Sequence, residues 1–265
     1  MKLKISLLTI LCINSAIANE NLTSTGLYLD LMKKCLINSI YRDPGLPLGG
    51  EYNEFRRENG QDWPVIAHTM IGLKRLNNLQ FCVEDVLKNH VPGDLIETGV
   101  WRGGAVIFMR AILKAYGKVE RSVWVADSFE GLPAPNTALY PADAGIALHQ
   151  QKILAVSLEQ VQENFKRYDL LDNQVHFLKG WFCDSLPTAP IEKLAILRLD
   201  GDLYQSTIEA LTYLYPKLSV GGYVIIDDYF MDCCRRAVND FRKANNIEDE
   251  MIQIDSASVF WKRSK

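Results

Sequence analysis

The chain has 265 residues, enough for one α/β domain with added helices and a complete core. Hydrophobic residues make up 48% of it, which argues against disorder, and the formal net charge is −3. A mildly acidic chain without a Lys/Arg run has little to neutralise phosphates with, so no nucleic-acid partner is expected.

At the N-terminus Lys2 and Lys4 precede a mostly apolar stretch, Ile5 to Ile13, and a small-x-small triplet, Ala16-Ile17-Ala18. Residues 1–18 thus have the pattern of a cleavable secretory signal. The apolar run is too short to cross a bilayer, so no stable membrane span is expected. The cysteines (Cys12, Cys35, Cys82, Cys183, Cys233 and Cys234) contain no C-x-x-C spacing, which argues against a zinc ribbon or a redox dithiol. Cleavage before Asn19 would remove Cys12 and leave an odd number, which is no disulfide framework.

Residues 25–41 carry Leu27, Leu31, Cys35, Ile37 and Ile40 at helical spacing and predict a helix. Residues 42–62 contain Pro44, Gly45, Pro47, Gly49, Gly50 and many charges, and read as an exposed loop. Helical spacing resumes over 65–90. Residues 19–92 therefore form a helical cap on a main domain spanning 93–265. There the pattern changes to strands alternating with helices. Strands are expected at 94–97, 123–126, 175–178, 194–199, 223–226 and 259–262. Helices are expected at 105–116, 150–168, 207–218 and 231–245, and Gly221-Gly222 open the fifth strand. This alternation predicts βαβ units and a mostly parallel sheet covered on both faces.

In such a sheet ligands bind beyond the carboxyl ends of the strands, and the acids and glycines fall there. Glu97 ends the first strand and leads into a turn with Gly99, Gly103 and Gly104. Glycines let a backbone approach a ligand closely, but the turn is neither G-x-G-x-x-G nor a P-loop. Asp127 ends the second strand, placed to accept hydrogen bonds from ribose hydroxyls. That placement suits a nicotinamide dinucleotide and S-adenosylmethionine alike. Asp200-Gly-Asp202 ends the fourth strand and Asp227-Asp228 the fifth. If these strands are neighbours, the carboxylates converge and repel. Arg198 offsets part of this charge, and Mg²⁺, which takes oxygen ligands, would offset more. Helix capping is the alternative use of such aspartates. The four histidines are dispersed, so zinc and non-haem iron are disfavoured. A cation here would acidify a substrate hydroxyl, with Asp202 placed to take the proton.

Several ordered motifs carry a resemblance. They are Glu97-Thr-Gly-Val-Trp-Arg-Gly-Gly104, Asp127-Ser-Phe-Glu-Gly-Leu-Pro133, Gly180-Trp-Phe-Cys-Asp-Ser-Leu-Pro187, Leu197-Arg-Leu-Asp-Gly-Asp-Leu-Tyr-Gln-Ser-Thr207 and Ile225-Ile-Asp-Asp-Tyr229, with His68-Thr-Met-Ile-Gly72 upstream. Over residues 25–263 the chain resembles the macrocin O-methyltransferase family, metal-dependent sugar O-methyltransferases of macrolide and aminocoumarin pathways. The resemblance implies a Rossmann-like class I methyltransferase sheet with an N-terminal helical lid. It implies S-adenosylmethionine along Glu97, Gly99, Trp101, Arg102, Gly103 and Gly104, with Asp127 and Ser128 at the ribose and Phe129, Glu130 and Gly131 beside them. Thr69 and Met70 would close over the methionine end. Ser157, Phe182 and Asp184 would lie toward the adenine. Asp200, Asp227 and Asp228 would bind Mg²⁺, Asp202 would be the general base, and the enzyme would be a homodimer.

Cys183 departs from the polar residue expected at its position. The segment from Ala134 to His149, with Tyr140, Asp143 and His149, is expected to border the acceptor, a small hydroxylated molecule such as a sugar moiety. Supply of the cofactor favours a cytoplasmic enzyme, whereas residues 1–18 favour export. An exported binding protein on the same scaffold and a nicotinamide-dependent oxidoreductase are the alternatives. The first leaves the acid group without a purpose, and the second lacks the fingerprint spacing.

Overall fold

The computed structural model describes residues 23–46 and 51–265. The signal-like segment, residues 19–22, Pro47, Gly49 and Gly50 lie outside these. The main sheet has seven strands, β1 (Asp94–Thr98), β2 (Val123–Asp127), β3 (Val175–Lys179), β4 (Leu194–Leu199), β5 (Leu218–Ile226), β6 (Ile252–Gln253) and β7 (Val259–Lys262). Their order is β3-β2-β1-β4-β5-β7-β6. β3 through β5 run parallel, and β7 pairs antiparallel with β5 and β6. The sheet is built outward from β1 in one direction, then resumes at β4 on the other side. This reversal opens a crevice above the carboxyl ends of β1 and β4.

Packed around the sheet are α1 (Ser24–Leu36), α2 (Glu54–Glu58), α3 (Gly72–Lys88), α4 (Gly104–Ala115), α5 (Leu158–Arg167), α6 (Phe182–Ser185), α7 (Tyr204–Leu214) and α8 (Asp232–Ala244). Every residue of α4 from Gly104 to Leu113 is buried. A helix buried all round needs cover on every side. The sheet covers one side of α4, and α1 and α3 cover the other. Leu29, Leu36, Leu76 and Leu79 of those helices accordingly share one core with Leu95 and Phe108. The N-terminal helical region is thus part of the fold's hydrophobic core.

Several boundaries differ from the sequence expectation. Residues 65–71 are irregular, and α3 starts only at Gly72, whose φ of +74° no continuing helix would adopt. α5 starts at Leu158, where Ser157 caps it by accepting from Gln160 N–H; short 3₁₀ turns precede it. α7 begins at Tyr204 rather than Thr207. β5 extends back through Gly221 and Gly222 to Leu218, and a register shift opposite Leu194 to Ile196 accommodates the extra length.

The stretch read as an exposed loop is anchored by a buried charge. Arg57 is 1% exposed. It donates to Asp62, to Asp43 and to the carbonyls of Ile37 and Asp43. Asp43 in turn accepts from the N–H groups of Ile66 and Ala67. A planar fork with five donors suits this role, and Lys could not replace it.

His68 lies between this region and α5, with Nδ1 2.8 Å from the Tyr168 hydroxyl. Burial first, then Arg167 and Arg102, push its pKa down from 6.5 to about 4. The unfolded chain therefore takes up this proton first. Stability is unaffected above the ordinary imidazole pKa and falls as pH drops from there toward the depressed value, by roughly 3 kcal/mol in all. His68→Gln should flatten that part of the stability profile. Denaturant midpoints of both proteins at neutral and mildly acidic pH check this, and parallel profiles would refute it.

Candidate active site

A cavity of about 1170 Å³ opens over the crevice between β1 and β4. Single small-molecule sites occupy roughly 300–1,000 Å³, so there is room for two ligands side by side. Its walls come from the β1–α4 turn (Gly99 to Trp101), the end of β2, the segment before α6, the ends of β4 and β5, and the N-terminal region at Asn59 to Trp63 and Thr69 to Ile71.

Gly99 makes the crevice possible. Its φ is +80°, and a Cβ there would lie 1.7 Å from the Asp200 carbonyl oxygen. The β1 turn and the end of β4 can meet only without a side chain at this point. A few residues on, a Cβ at Gly104 would lie 2.4 Å from the His68 carbonyl oxygen, so this glycine serves the approach of the N-terminal region.

Asp127 organises the turn as well as lining the cavity. Its Oδ2 accepts from Val100 N–H at 2.7 Å and its Oδ1 from Phe129 N–H at 2.8 Å. Burial raises its pKa, opposed by these N–H groups. Trp101, at φ +48°, donates its indole N–H to the Ile153 carbonyl and thereby holds the segment before α5 against the turn.

The floor of the cavity is acidic. Ligand-competent oxygens of Asp200, Asp227 and Asp228 lie within 4.8 Å of one another. Beneath them is Arg198, 1% exposed in β4. It donates to Glu97 at 2.5 Å, to Asp200 at 2.8 Å, and to Asp227. Arg75, from the first turn of α3, donates to the other oxygen of Asp227 at 2.6 Å and to Asp255 at 2.8 Å. Ser258 donates to the Asp227 carbonyl. Asp228 accepts from Asp202 N–H at 3.0 Å. Asp202 sits at φ +58° and lines the cavity, and among the described residues nothing donates to its carboxylate.

Burial, then mutual repulsion, drives this cluster toward the protonated state. The pKa values of Asp200, Asp202 and Asp228 all rise for these reasons. Burial raises Glu97 to about 8 against the pull of Arg198. Glu97, Asp200, Asp202, Asp227, Asp228 and Asp255 face only Arg75 and Arg198 as paired cations among the described residues. Convergent carboxylates with surplus negative charge form a donor set that fits a hard divalent cation.

Of the residues expected from sequence, Thr69, Met70, Gly99, Trp101, Asp127, Ser128, Gly131 and Phe182 line this cavity together with Asp200, Asp202, Asp227 and Asp228. The remainder are not among its lining residues. Glu97 binds Arg198, and Arg102 donates to the carbonyls of Pro64 and Ala67. Gly103 and Gly104 start α4, and Phe129 packs on Phe177. Glu130 pairs with Lys179, Ser157 caps α5, and Asp184 lies in the first turn of α6. Asp143 is fully buried, its two oxygens accepting from the N–H groups of Tyr204 and Gln205. Sequence reading missed Arg75, Gln205 and Glu209 on the walls. Gln205 and Glu209 are four residues apart on α7 and so share one helix face close after Asp202, a weak signal; Arg75 had none.

The sequence profile described as Macrocin-O-methyltransferase (TylF) matches residues 46–263. The chain is 55% identical over 256 residues to Demethyldecarbamoylnovobiocin O-methyltransferase of Streptomyces niveus, covering 94% of this chain and 97% of that protein. It is 57% identical over 242 residues to 8-demethyl-8-(2,3-dimethoxy-alpha-L-rhamnosyl)-tetracenomycin-C 4'-O-methyltransferase of Streptomyces olivaceus, covering 90% and 93%. Among solved structures it is similar to the O-methyltransferase NovP, with a TM-score of 0.89 and 56% identity, covering 91% of this chain and all (100%) of that one.

Asp143 stands in for a helix cap, because Leu203 at the N-cap position offers none. Asp143→Asn should lower stability by about 1–2 kcal/mol, the usual worth of a cap at a helix N-terminus. Thermal or denaturant melting reads this, and an unchanged midpoint would show that α7 starts without it.

Proposed function

The chain belongs to the macrocin O-methyltransferase family and is an S-adenosylmethionine-dependent O-methyltransferase, and from that premise we propose that it methylates a sugar hydroxyl of a glycosylated small molecule with the aid of Mg²⁺. The observation that carries the metal and the chemistry is the convergence of Asp200, Asp227 and Asp228 beside Asp202, whose carboxylate has no donor among the described residues. The sugar rests on the rhamnosyl group in the name of the tetracenomycin relative.

Asp200, Asp227 and Asp228 would hold the cation. Gly99, Trp101, Asp127, Ser128, Gly131 and Phe182 would hold the cofactor, with Thr69 and Met70 closing its far end as part of an N-terminal lid. When bound, S-adenosylmethionine supplies an electrophilic methyl group, and Mg²⁺ supplies positive charge that orients and acidifies the acceptor hydroxyl. The protein's share is position and proton transfer. Asp202 is the base, taking the hydroxyl proton on a carboxylate to which no described residue donates. Its backbone is fixed by the N–H bond to Asp228, by a contact from the Cys233 thiol to its carbonyl, and by α7 directly after it. With both ligands bound, the N-terminal wall would shield the acids and the acceptor from competing water. In the same reading the enzyme works in the cytoplasm, where its cofactor is supplied, as a homodimer.

Two variants test this. Asp228→Asn should abolish Mg²⁺-stimulated methyl transfer from labelled cofactor to a glycosylated acceptor. Asp202→Asn should lower kcat by about 10²–10⁴-fold while cation binding persists. Full wild-type turnover in the presence of a chelator would sink the metal part of the proposal. Full turnover by Asp202→Asn would sink the base.

A further inference from the structure

We infer that Arg75 is a positioning residue for Asp227, one that makes the cation site depend on the N-terminal helices. The inference rests on the cation-site reading above. Among the described residues that line the cavity, Arg75 is the only Lys or Arg, set among Asp62, Asp127, Asp200, Asp202, Asp227 and Asp228. Two of its three guanidinium nitrogens are already committed to carboxylates. Its side chain is 11% exposed and spans two carboxylates, reaching Asp227 through one terminal nitrogen and Asp255 through Nε. Asp255 is committed in turn, since its other oxygen accepts from the N–H groups of Ala257 and Ser258 in the β6–β7 turn. Ser258 then donates to the Asp227 carbonyl. Arg75, Asp255, Ser258 and Asp227 thus close a ring of contacts that joins α3, the β6–β7 hairpin and the end of β5.

Asp227 has its remaining oxygen on Arg198. Both sides of this carboxylate are therefore fixed, one from inside the sheet and one from outside it. Two opposing effects follow for a cation. The positive charge of Arg75 repels it, and the orientation that Arg75 imposes on Asp227 favours it. Partners of metal ligands commonly contribute about 10–100-fold to metal affinity, which sets orientation above charge here. The fork matters as well as the charge, because one ammonium group does not span two carboxylates in fixed geometry.

The test is titration of metal-free protein with Mn²⁺, followed by loss of the free-ion electron paramagnetic resonance signal, without cofactor or turnover. Arg75→Gln should weaken Mn²⁺ binding by about 10–100-fold. Arg75→Lys should fall between that and wild type. Asp255→Asn, which loosens the ring from its far side, should weaken binding by a smaller factor. These two variants carry the test if Arg75→Gln does not fold. Binding as tight as wild type or tighter in the folded Arg75 variants overturns the inference, as does a fully wild-type Arg75→Lys. Failure of the wild-type protein to bind Mn²⁺, or undiminished binding by Asp228→Asn, would instead overturn the cation site itself.

Discussion

One guanidinium group organises the centre of this protein. Arg198 extends from β4, the strand beside the topological switch, and is shut off from solvent. It contacts Glu97 from β1, Asp200 at the end of its own strand and Asp227 at the end of β5. Burial alone would lower its pKa, but these carboxylates more than reverse that, so it stays charged. A buried ion pair adds little net stability, because desolvation offsets much of the attraction. Its value is geometric. A planar donor with fixed N–H directions holds three strand ends in one register, which an apolar core would not specify.

Arg198 does not neutralise what it gathers. The acids exceed their cationic partners, and the rise in their pKa values from burial and repulsion expresses that excess. A fold built only for stability would replace such a group with apolar residues or a second arginine. Keeping it under an open cavity makes sense when a positive species arrives from solution. A divalent cation and a sulfonium cofactor both meet that requirement, and the cavity has room for a cofactor and an acceptor together.

The sequence made the sheet legible because buried parallel strands are short apolar runs with polar ends. β4 at Leu194–Leu199 and β7 at Val259–Lys262 match the expected bounds, and the acids at the ends of β1, β2, β4 and β5 line or underlie one site. What was not legible depends on residues distant in the chain. The start of α7 is set by Asp143, some sixty residues upstream, and no local pattern announces a cap from that distance. The segment around Arg57 looked like solvent-exposed loop because charge and Pro/Gly content usually mean exposure. Here the charge is buried against Asp43 and Asp62. Arg102, Gly103 and Gly104, which the resemblance sets along the cofactor, also have Pro64, Ala67, His68 and Val161 of the surrounding protein beside them. A glycine-rich turn permits close approach without saying whether ligand or protein approaches.

The two arginines that meet at Asp227 bear on how this fold assembles. Arg198 reaches one oxygen from within the sheet, and Arg75 reaches the other from a helix of the N-terminal region. That region has its own clasp at Arg57 and shares the core around α4 with the sheet. The wall of the cavity and its acidic floor are thus joined both by apolar packing and by a shared carboxylate. Packing alone would seat the helices without fixing the side chain, since hydrophobic contact is non-directional. The ion pair fixes the direction but adds little net energy. Together they tie the seating of the cavity wall to the alignment of the Asp227 carboxylate on its floor.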